Sequence, residues 1–504
     1  MLSTSELVEA GASGVRWVTL ARVGIELVAV GSTVVLARLI PPADFGKFAL
    51  VVMCMELSLA VPGEGIGSAL VQRRSVSREH LEAGVLLSLL VSALLLVVTL
   101  LLAASVIPAV FGESTAALVE LATPCFLLGA LATVPSAVLK RRLAFRRLGL
   151  VELASTVVRC GAMLALAIAG LNASALVLGW LAGGVVGVCL VMASAPIVFP
   201  RWRPRAIREI TGFGLPAATA SLFWTAFRNG DYAVIGGRAG TYDSGLYWRA
   251  YQLAVEYPRK ITNIMAQVAF PLLSRTTDLD TLLAIRRRMT RLLTVVVVPP
   301  LACLALFAPI AIPWLFGPAW SGAVVPAQIL AAGGLASVMM DTIGPALMAA
   351  GHPKAILGFG VAHSTVYLGA VFLAVPLGLT TVSAVAAAVH AAFVFVAYGW
   401  LLGKLVDDPM RCLWHDIAAA VTSSVALVAV AWTVSWGIER AGGPDSAAMF
   451  AGAGLGTAVY LFTLRICFPD AWRDLSVLLR RVLPRVRLPR AVARLAPVGG
   501  SSSS

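Results

Sequence analysis

The residues in this chain that could do chemistry are charged side chains set inside long apolar runs. Arg22 and Glu26 stand four apart, Arg228 and Asp231 three apart, and Arg249 and Glu256 seven apart, spacings that put each pair on one helix face. Arg159 follows Glu152 by seven, while Glu56, Glu64 and Asp341 are lone carboxylates. An ionisable group near the bilayer centre costs at least about 2.5 to 3.5 kcal/mol, so such groups face a wet cavity or one another. Arginine stays charged and presents a planar fork that fits phosphate and carboxylate oxygens. Arg22, Arg159, Arg228 and Arg249 are therefore candidates to line a cavity and hold an anion. The carboxylates Glu26, Glu56, Glu64, Asp231, Glu256 and Asp341 are candidates for cavity lining or for proton or sodium coupling. The competing reading is structural: an intrahelical ion pair for Arg22 and Glu26, and salt bridges between helices for the others. His363 and His390 read as hydrogen-bonded packing residues, and the seven cysteines show neither CxxC nor metal-ligand spacing, so no metal and no cofactor is expected.

Helices spanning a membrane must position these groups. The 504 residues are 59% hydrophobic and 13% charged, with a mean hydropathy of +0.90, more apolar surface than a water-soluble domain can hide. Apolar runs of about 18 residues or more recur from near Val15 to near Cys467, each able to cross about 30 Å of hydrocarbon as a helix, and about fourteen are expected. The net charge of +14 does not point to nucleic acid, because the basic residues sit in short clusters between apolar runs. Arg73, Arg74 and Arg78 follow the second run, Lys140 to Arg147 the fourth, Arg201 to Arg208 the sixth, and Arg275 to Arg291 the eighth. The intervening turns near Phe111–Glu113, Leu171–Ala173, Phe316–Gly322 and Gly378–Thr381 carry no Lys or Arg. The positive-inside rule then puts both termini in the cytoplasm. The first run, about Val15 to Ile40, is too long for a cleavable signal and is expected to remain as the first helix. After Pro469 the tail mixes arginines with Leu and Val and reads as a segment lying on the anionic inner leaflet.

An internal repeat appears at an offset of roughly 200 to 210 residues. Ile107-Pro108-Ala109-Val110-Phe111-Gly112 answers Ile312-Pro313-Trp314-Leu315-Phe316-Gly317; Ala37-Arg38 with Phe45-Gly46 answers Gly237-Arg238 with Ser244-Gly245; Ser155-Thr156-Val157 answers Ser364-Thr365-Val366. The expected organisation is two six-helix lobes related by a pseudo-two-fold repeat, residues 1–209 and 210–405. Two extra helices follow within 406–468, then a basic cytoplasmic tail over 469–504. Transporters commonly place the substrate path between such halves.

Residues 15 to 405 resemble the Wzx-type polysaccharide flippase branch of the multidrug/oligosaccharidyl-lipid/polysaccharide exporter superfamily. The stretches that carry the resemblance are LARLIPPADFGKFAL (Leu36–Leu50), SALVQRRSVSREHLEAG (Ser68–Gly84), VPSAVLKRRLAFRRLGLVEL (Val134–Leu153), RNGDYAVIGGRAGTYDSGLYWRAYQLA (Arg228–Ala254) and VAFPLLSR (Val268–Arg275). The resemblance implies an alternating-access carrier in the bacterial plasma membrane, and no enzyme. Its cargo would be a polyprenyl-pyrophosphate-linked oligosaccharide moved from the inner to the outer face, with helices one, two, seven and eight lining the cavity. It also implies that Arg22, early in the first helix, meets the diphosphate, and that glycan polymerases are partners. A sugar head and a diphosphate cannot cross hydrocarbon unaided, since burying unpaired polar groups and charges is prohibitive. Rival readings are a peptidoglycan-precursor (lipid II) flippase, a MATE-like drug or cation antiporter, a polymerase or ligase acting on polyprenyl-linked glycans, and a scaffold that transports nothing. The antiporter favours an acidic cavity over these arginines, and the enzyme needs a large external loop where only short turns are found.

Overall fold

In the computed structural model, residues 24–262, 265 and 278–482 are described. Arg22, the segment Val268–Arg275 and the tail beyond residue 482 lie outside them. The described residues form helices and turns, with no strand among them. The helices in chain order are α1 (24–39), α2 (Pro42–Gln72), α3 (Arg78–Phe111), α4 (Glu113–Arg141), α5 (Phe145–Ile168) and α6 (Asn172–Ser194). There follow α7 (Pro204–Arg238) and α8 (Thr241–Tyr251, running on through a π turn at Gln252–Glu256). Then come α9 (Leu279–Phe316), α10 (Pro318–Ala349), α11 (Lys354–Leu377), α12 (Leu379–Lys404), α13 (Pro409–Arg440) and α14 (Asp445–Cys467), and α15 (Pro469–Val482). The protein is an all-α, polytopic membrane protein, as expected from its apolar runs.

Eleven of these helices are long and apolar enough to cross a membrane. The other three of the roughly fourteen expected from the runs are α1, α7 and α8. Only residues 24–39 of α1 are described. The 35 residues of α7 exceed the length needed, but it carries Arg228, Asp231 and Arg238, while α8 carries Asp243, Arg249, Gln252 and Glu256. Both are the helices that the charged motif occupies.

Local chemistry sets the helix ends. Proline stands in the first turn of α2, α7 and α13, where its missing N–H costs nothing. The Asp408 side chain accepts from the Arg411 backbone N–H at the start of α13, and Ser77 and His80 form a capping box at the start of α3. The repeated Phe-Gly pairs do the same thing twice: α3 ends at Phe111 and α9 at Phe316, and the glycines that follow have φ of 85° and 99°. A side chain there would be strained, so glycine is needed to turn the chain into the next helix. Inside α2, a π turn at Gly63–Gly67 follows Pro62, the kind of irregularity that bends a membrane helix without stranding its backbone.

The chain divides into two compact units. The first comprises Met1–Gln252, Ala311–Leu330 and Ala362–Val389, and one of its cores packs Ile66, Leu70, Ala83, Val134 and Ile210 from α2, α3, α4 and α7. The second comprises Leu253–Ile310, Ala331–Val361 and His390–Ser504, with Met339, Ile343, Tyr398, Leu401 and Cys412 of α10, α12 and α13 in one core cluster. Within this second unit α15 buries Ala471, Asp474 and Leu475. Asp474 accepts from the guanidinium of Arg288 at 2.8 Å and from that of Arg291, fixing the helix to the arginine-rich start of α9.

Candidate functional site

In the first unit, α2 and α7 bring Glu56 and Arg228 together. The Arg228 Nη2 donates to Glu56 Oε2 at 2.6 Å, and the Asn229 Nδ2 donates to the same oxygen at 3.0 Å while also reaching the Thr225 carbonyl. Asn229 is buried, but the two charged side chains are 46% and 36% exposed. An exposed ion pair contributes at most about 1 kcal/mol, less than the cost of placing either charge in hydrocarbon. The pair therefore calls for water or a polar ligand around it.

Asp231, three residues on, turns the other way. It is fully buried and accepts a hydrogen bond from the Tyr367 hydroxyl of α11 at 2.8 Å. The Tyr367 and Tyr247 hydroxyl oxygens lie 3.0 Å apart, which ties in α8. The rings of Tyr232 and Tyr251 pack edge-on beside this chain, and His363 stacks on Tyr367.

Arg249 is also buried, at 1% exposure. Its guanidinium carbon lies 4.9 Å from the centre of the Phe45 ring, 5.3 Å from Trp248, 4.8 Å from Phe316 and 4.9 Å from Trp320, a cage in which ring quadrupoles stabilise the cation. Nearby contacts close the same end of the unit. The Trp320 indole N–H donates to the Ala37 carbonyl at 2.7 Å, and Arg38 donates through Nε to the Leu315 carbonyl at 2.9 Å and through Nη2 to the Trp314 carbonyl. Here α2 and α8 touch backbone to backbone. A Cβ built on Gly46 would lie 1.8 Å from the Thr241 carbonyl oxygen, and one on Gly245 would lie 1.9 Å from that of Pro42. The contact is reciprocal, and these are the two glycines that the internal repeat pairs.

The remaining candidates are spread along other helices. Glu256 accepts from Arg259 at 2.7 Å, and Arg259 lies 3.9 Å from Asp341. Glu64 accepts from the Ser68 hydroxyl, Arg159 donates to the Thr156 hydroxyl at 3.3 Å, and Glu26 is half-buried on α1. Thus Arg228 and Glu56 come together, and Glu256 and Asp341 share Arg259. Arg159, Glu64 and Glu26 stand elsewhere.

Three groups were not singled out by sequence reasoning. Arg286, which reads in sequence as one of a run of topology-setting arginines, is 1% exposed and donates to a fully buried Asp416 at 2.8 Å. The Tyr398 hydroxyl donates to the same carboxylate. The Arg141 Nη1 donates to the carbonyls of Leu70, Val71 and Arg73, neutralising the negative end of the α2 dipole. Glu209, in the opening turns of α7, receives His80 Nε2 at 3.0 Å, Arg205 at 3.2 Å and the Arg73 guanidinium. Hydrogen bonds from His80 and Arg205, aided by the Arg73 charge, hold its carboxyl down at about 2. The only sign in the sequence was the density of basic residues around each site.

Comparison with known proteins fits this architecture. Residues 35–325 match the polysaccharide biosynthesis protein family. The teichuronic acid biosynthesis protein TuaB of Bacillus subtilis is 24% identical, over 91% of this chain and 96% of its own. The lipopolysaccharide biosynthesis protein WzxC of Escherichia coli is 23% identical, over 72% and 74%. Among solved structures, the lipid II flippase MurJ in an inward closed conformation superposes with a TM-score of 0.71 at 12% identity, covering 90% of this chain and 99% of that one. An inward-facing multidrug resistance MATE family transporter of the MOP superfamily gives 0.60 at 14%, over 77% and 96%. The fold is that of membrane transporters, and the chain belongs to the polysaccharide biosynthesis protein family.

Proposed function

We propose that this protein is a flippase that carries a polyprenyl-pyrophosphate-linked oligosaccharide from the cytoplasmic to the outer face of a bacterial plasma membrane by alternating access. The observation that carries this reading is the contrast along α2. At Gly46 the helix is sealed against α8 with no space for a methyl group, whereas ten residues further, about 15 Å along the axis, the charged side chains of Glu56 and Arg228 are 36% and 46% exposed, which hydrocarbon would not accept. Closure at one end beside charges that call for water is what a carrier presents in one of its two states. The two lobes, residues 1–209 and 210–405, are supported by the reciprocal glycines and the repeated Phe-Gly helix ends, and positive-inside charge puts both termini and the Arg73–Glu209 end in the cytoplasm.

In this reading Arg228, with Arg22 and Arg159, supplies the positive charge that meets the diphosphate or acidic sugars, with Glu56 holding Arg228 between cargoes. Arg249, inside its aromatic cage, stiffens the closed end. Glu256 and Asp341 around Arg259, and Asp231 among its tyrosines, are places where proton or sodium movement can be coupled. Relatives named for teichuronic acid and lipopolysaccharide synthesis favour a cell-surface glycan as cargo, with glycan polymerases as partners downstream. The test is the purified chain in vesicles loaded from the inner side with a fluorescent polyprenyl-diphosphate disaccharide. The lipid should become accessible outside faster than in protein-free vesicles; equal rates would end the flippase reading.

A further inference from the structure

A cleft of about 280 Å3 lies in the first unit between α2 and α4, just below the range of roughly 300 to 1,000 Å3 typical of small-molecule sites. Its lining is mixed, with Leu59 and Val71 beside a set of polar side chains. From α4 come Ala132, Ser136 and Lys140, spaced four apart and so on one face, with Thr133 beside them; from α2 come Ser68 and Gln72. Leu127, also on α4 but outside the cleft, is a bulky exposed side chain of the kind hydrocarbon favours. The Gln72 amide and the Lys140 ammonium would go unsatisfied if they faced lipid, so this part of the cleft calls for water or a polar ligand.

The polar groups are available to such a ligand. The Ser68 and Thr133 hydroxyls spend their protons on Glu64 and on the Gly129 carbonyl, which leaves their lone pairs to accept hydrogen bonds. Lys140 is exposed and forms no ion pair among the described residues. Its ammonium is a compact point charge with three donors, standing where α4 ends. The arrangement combines acceptors for hydroxyl groups in the cleft with a cation at one end, which is the chemistry of a sugar bearing or adjoining an anionic oxygen.

We propose that this cleft is a glycan subsite: it takes a sugar ring of the lipid-linked cargo while Lys140 meets an anionic oxygen, supplied by a uronate on the sugar or by the diphosphate joining sugar to lipid. The proposal rests on the flippase reading, and neither Glu56 nor Arg228 lines the cleft, so the two can fail separately. The full chain in vesicles is given two probes, a polyprenyl-diphosphate disaccharide of neutral hexoses and its counterpart ending in a hexuronic acid. Ala132→Phe fills the cleft and should slow both probes more than ten-fold at unchanged abundance and melting temperature. Should that variant fold poorly, Ala132→Cys modified after purification with a bulky maleimide should do the same relative to equally treated wild type. Lys140→Gln should slow both probes equally if the diphosphate is the partner, and only the acidic probe if a uronate is. Wild-type rates in the filled-cleft proteins and in Lys140→Gln, with an active parent, would overturn the subsite and leave the flippase reading standing. A parent that moves neither probe would overturn both.

Discussion

Arg228 and Glu56 hold each other at 2.6 Å with both side chains partly exposed, so neither is sealed off from a competing ligand. If the arginine meets the cargo's diphosphate, Arg228→Ala should remove about 1.5 to 3 kcal/mol of charge-assisted binding, a loss of roughly ten- to a hundred-fold in flipping. Arg228→Lys keeps the charge without the fork and should fall between. If the pair only joins α2 to α7, the double variant Arg228→Gln with Glu56→Gln should flip at the parental rate, and that result would assign the pair to structure. Arg249 calls for a different measurement. Its four ring contacts are each of order 0.5 to 2 kcal/mol when desolvated, so Arg249→Ala should lower the thermal unfolding midpoint in detergent, with Arg249→Lys recovering part of the loss. The sequence showed these arginines as costly intramembrane charges but did not show their partners. Same-face spacing grouped Arg228 with Asp231 and Arg249 with Glu256, and the alternative of salt bridges between helices named no partner. The fold joins Arg228 to a residue 172 positions away and Asp231 to one 136 away. Helical periodicity says which face a side chain leaves from; which neighbour it meets is decided by packing that no local spacing records.

The contact of α2 with α8 predicts a sharp sensitivity at small residues. The obstacle to a side chain at Gly46 is a carbonyl oxygen of the opposing backbone, which cannot swing aside as a rotamer can. Gly46→Ala should therefore push the helices apart. Ser244→Cys, at a position that is fully buried beside this contact, reports it: thiol labelling should rise at least ten-fold when Gly46→Ala is added, and unchanged labelling would refute the close packing. In the second unit, α13 is bound to α9 and α12 through Asp416. Asp416→Asn leaves Arg286 charged and buried, and removing one member of such a pair costs about 3 to 5 kcal/mol, whereas apolar replacement of both is often tolerated. Denaturation of Asp416→Asn against Arg286→Met with Asp416→Leu measures the difference. These helices were readable from apolar runs. Asp416 lies in a helix outside the internal repeat, where no second copy drew attention to it.

Across the entire chain, alternation of basic clusters with uncharged turns predicts which loops share a side. Arg142→Cys should react with an impermeant thiol reagent only from the cytoplasm and Asn172→Cys only from outside, because α5 stands between them; labelling of both from one side would refute the topology. That much of the architecture follows from hydropathy and charge, because a bilayer forces long apolar segments to be helices. The repeated glycines were also visible, though only the structure shows that they touch. Their contact has a mechanical meaning. If α2 tilts about its crossing at Gly46, Glu56 stands on a short arm of about 15 Å and Gln72 on a long one of about 39 Å. A tilt of about 10° would then shift Glu56 by only about 3 Å while swinging the far end by about 7 Å, less whatever the π turn at Gly63–Gly67 absorbs. In such a tilt the two glycines would serve as a fulcrum, and the helix as a lever whose stroke is small where charge is held and large where the Arg73–Glu209 end would have to part.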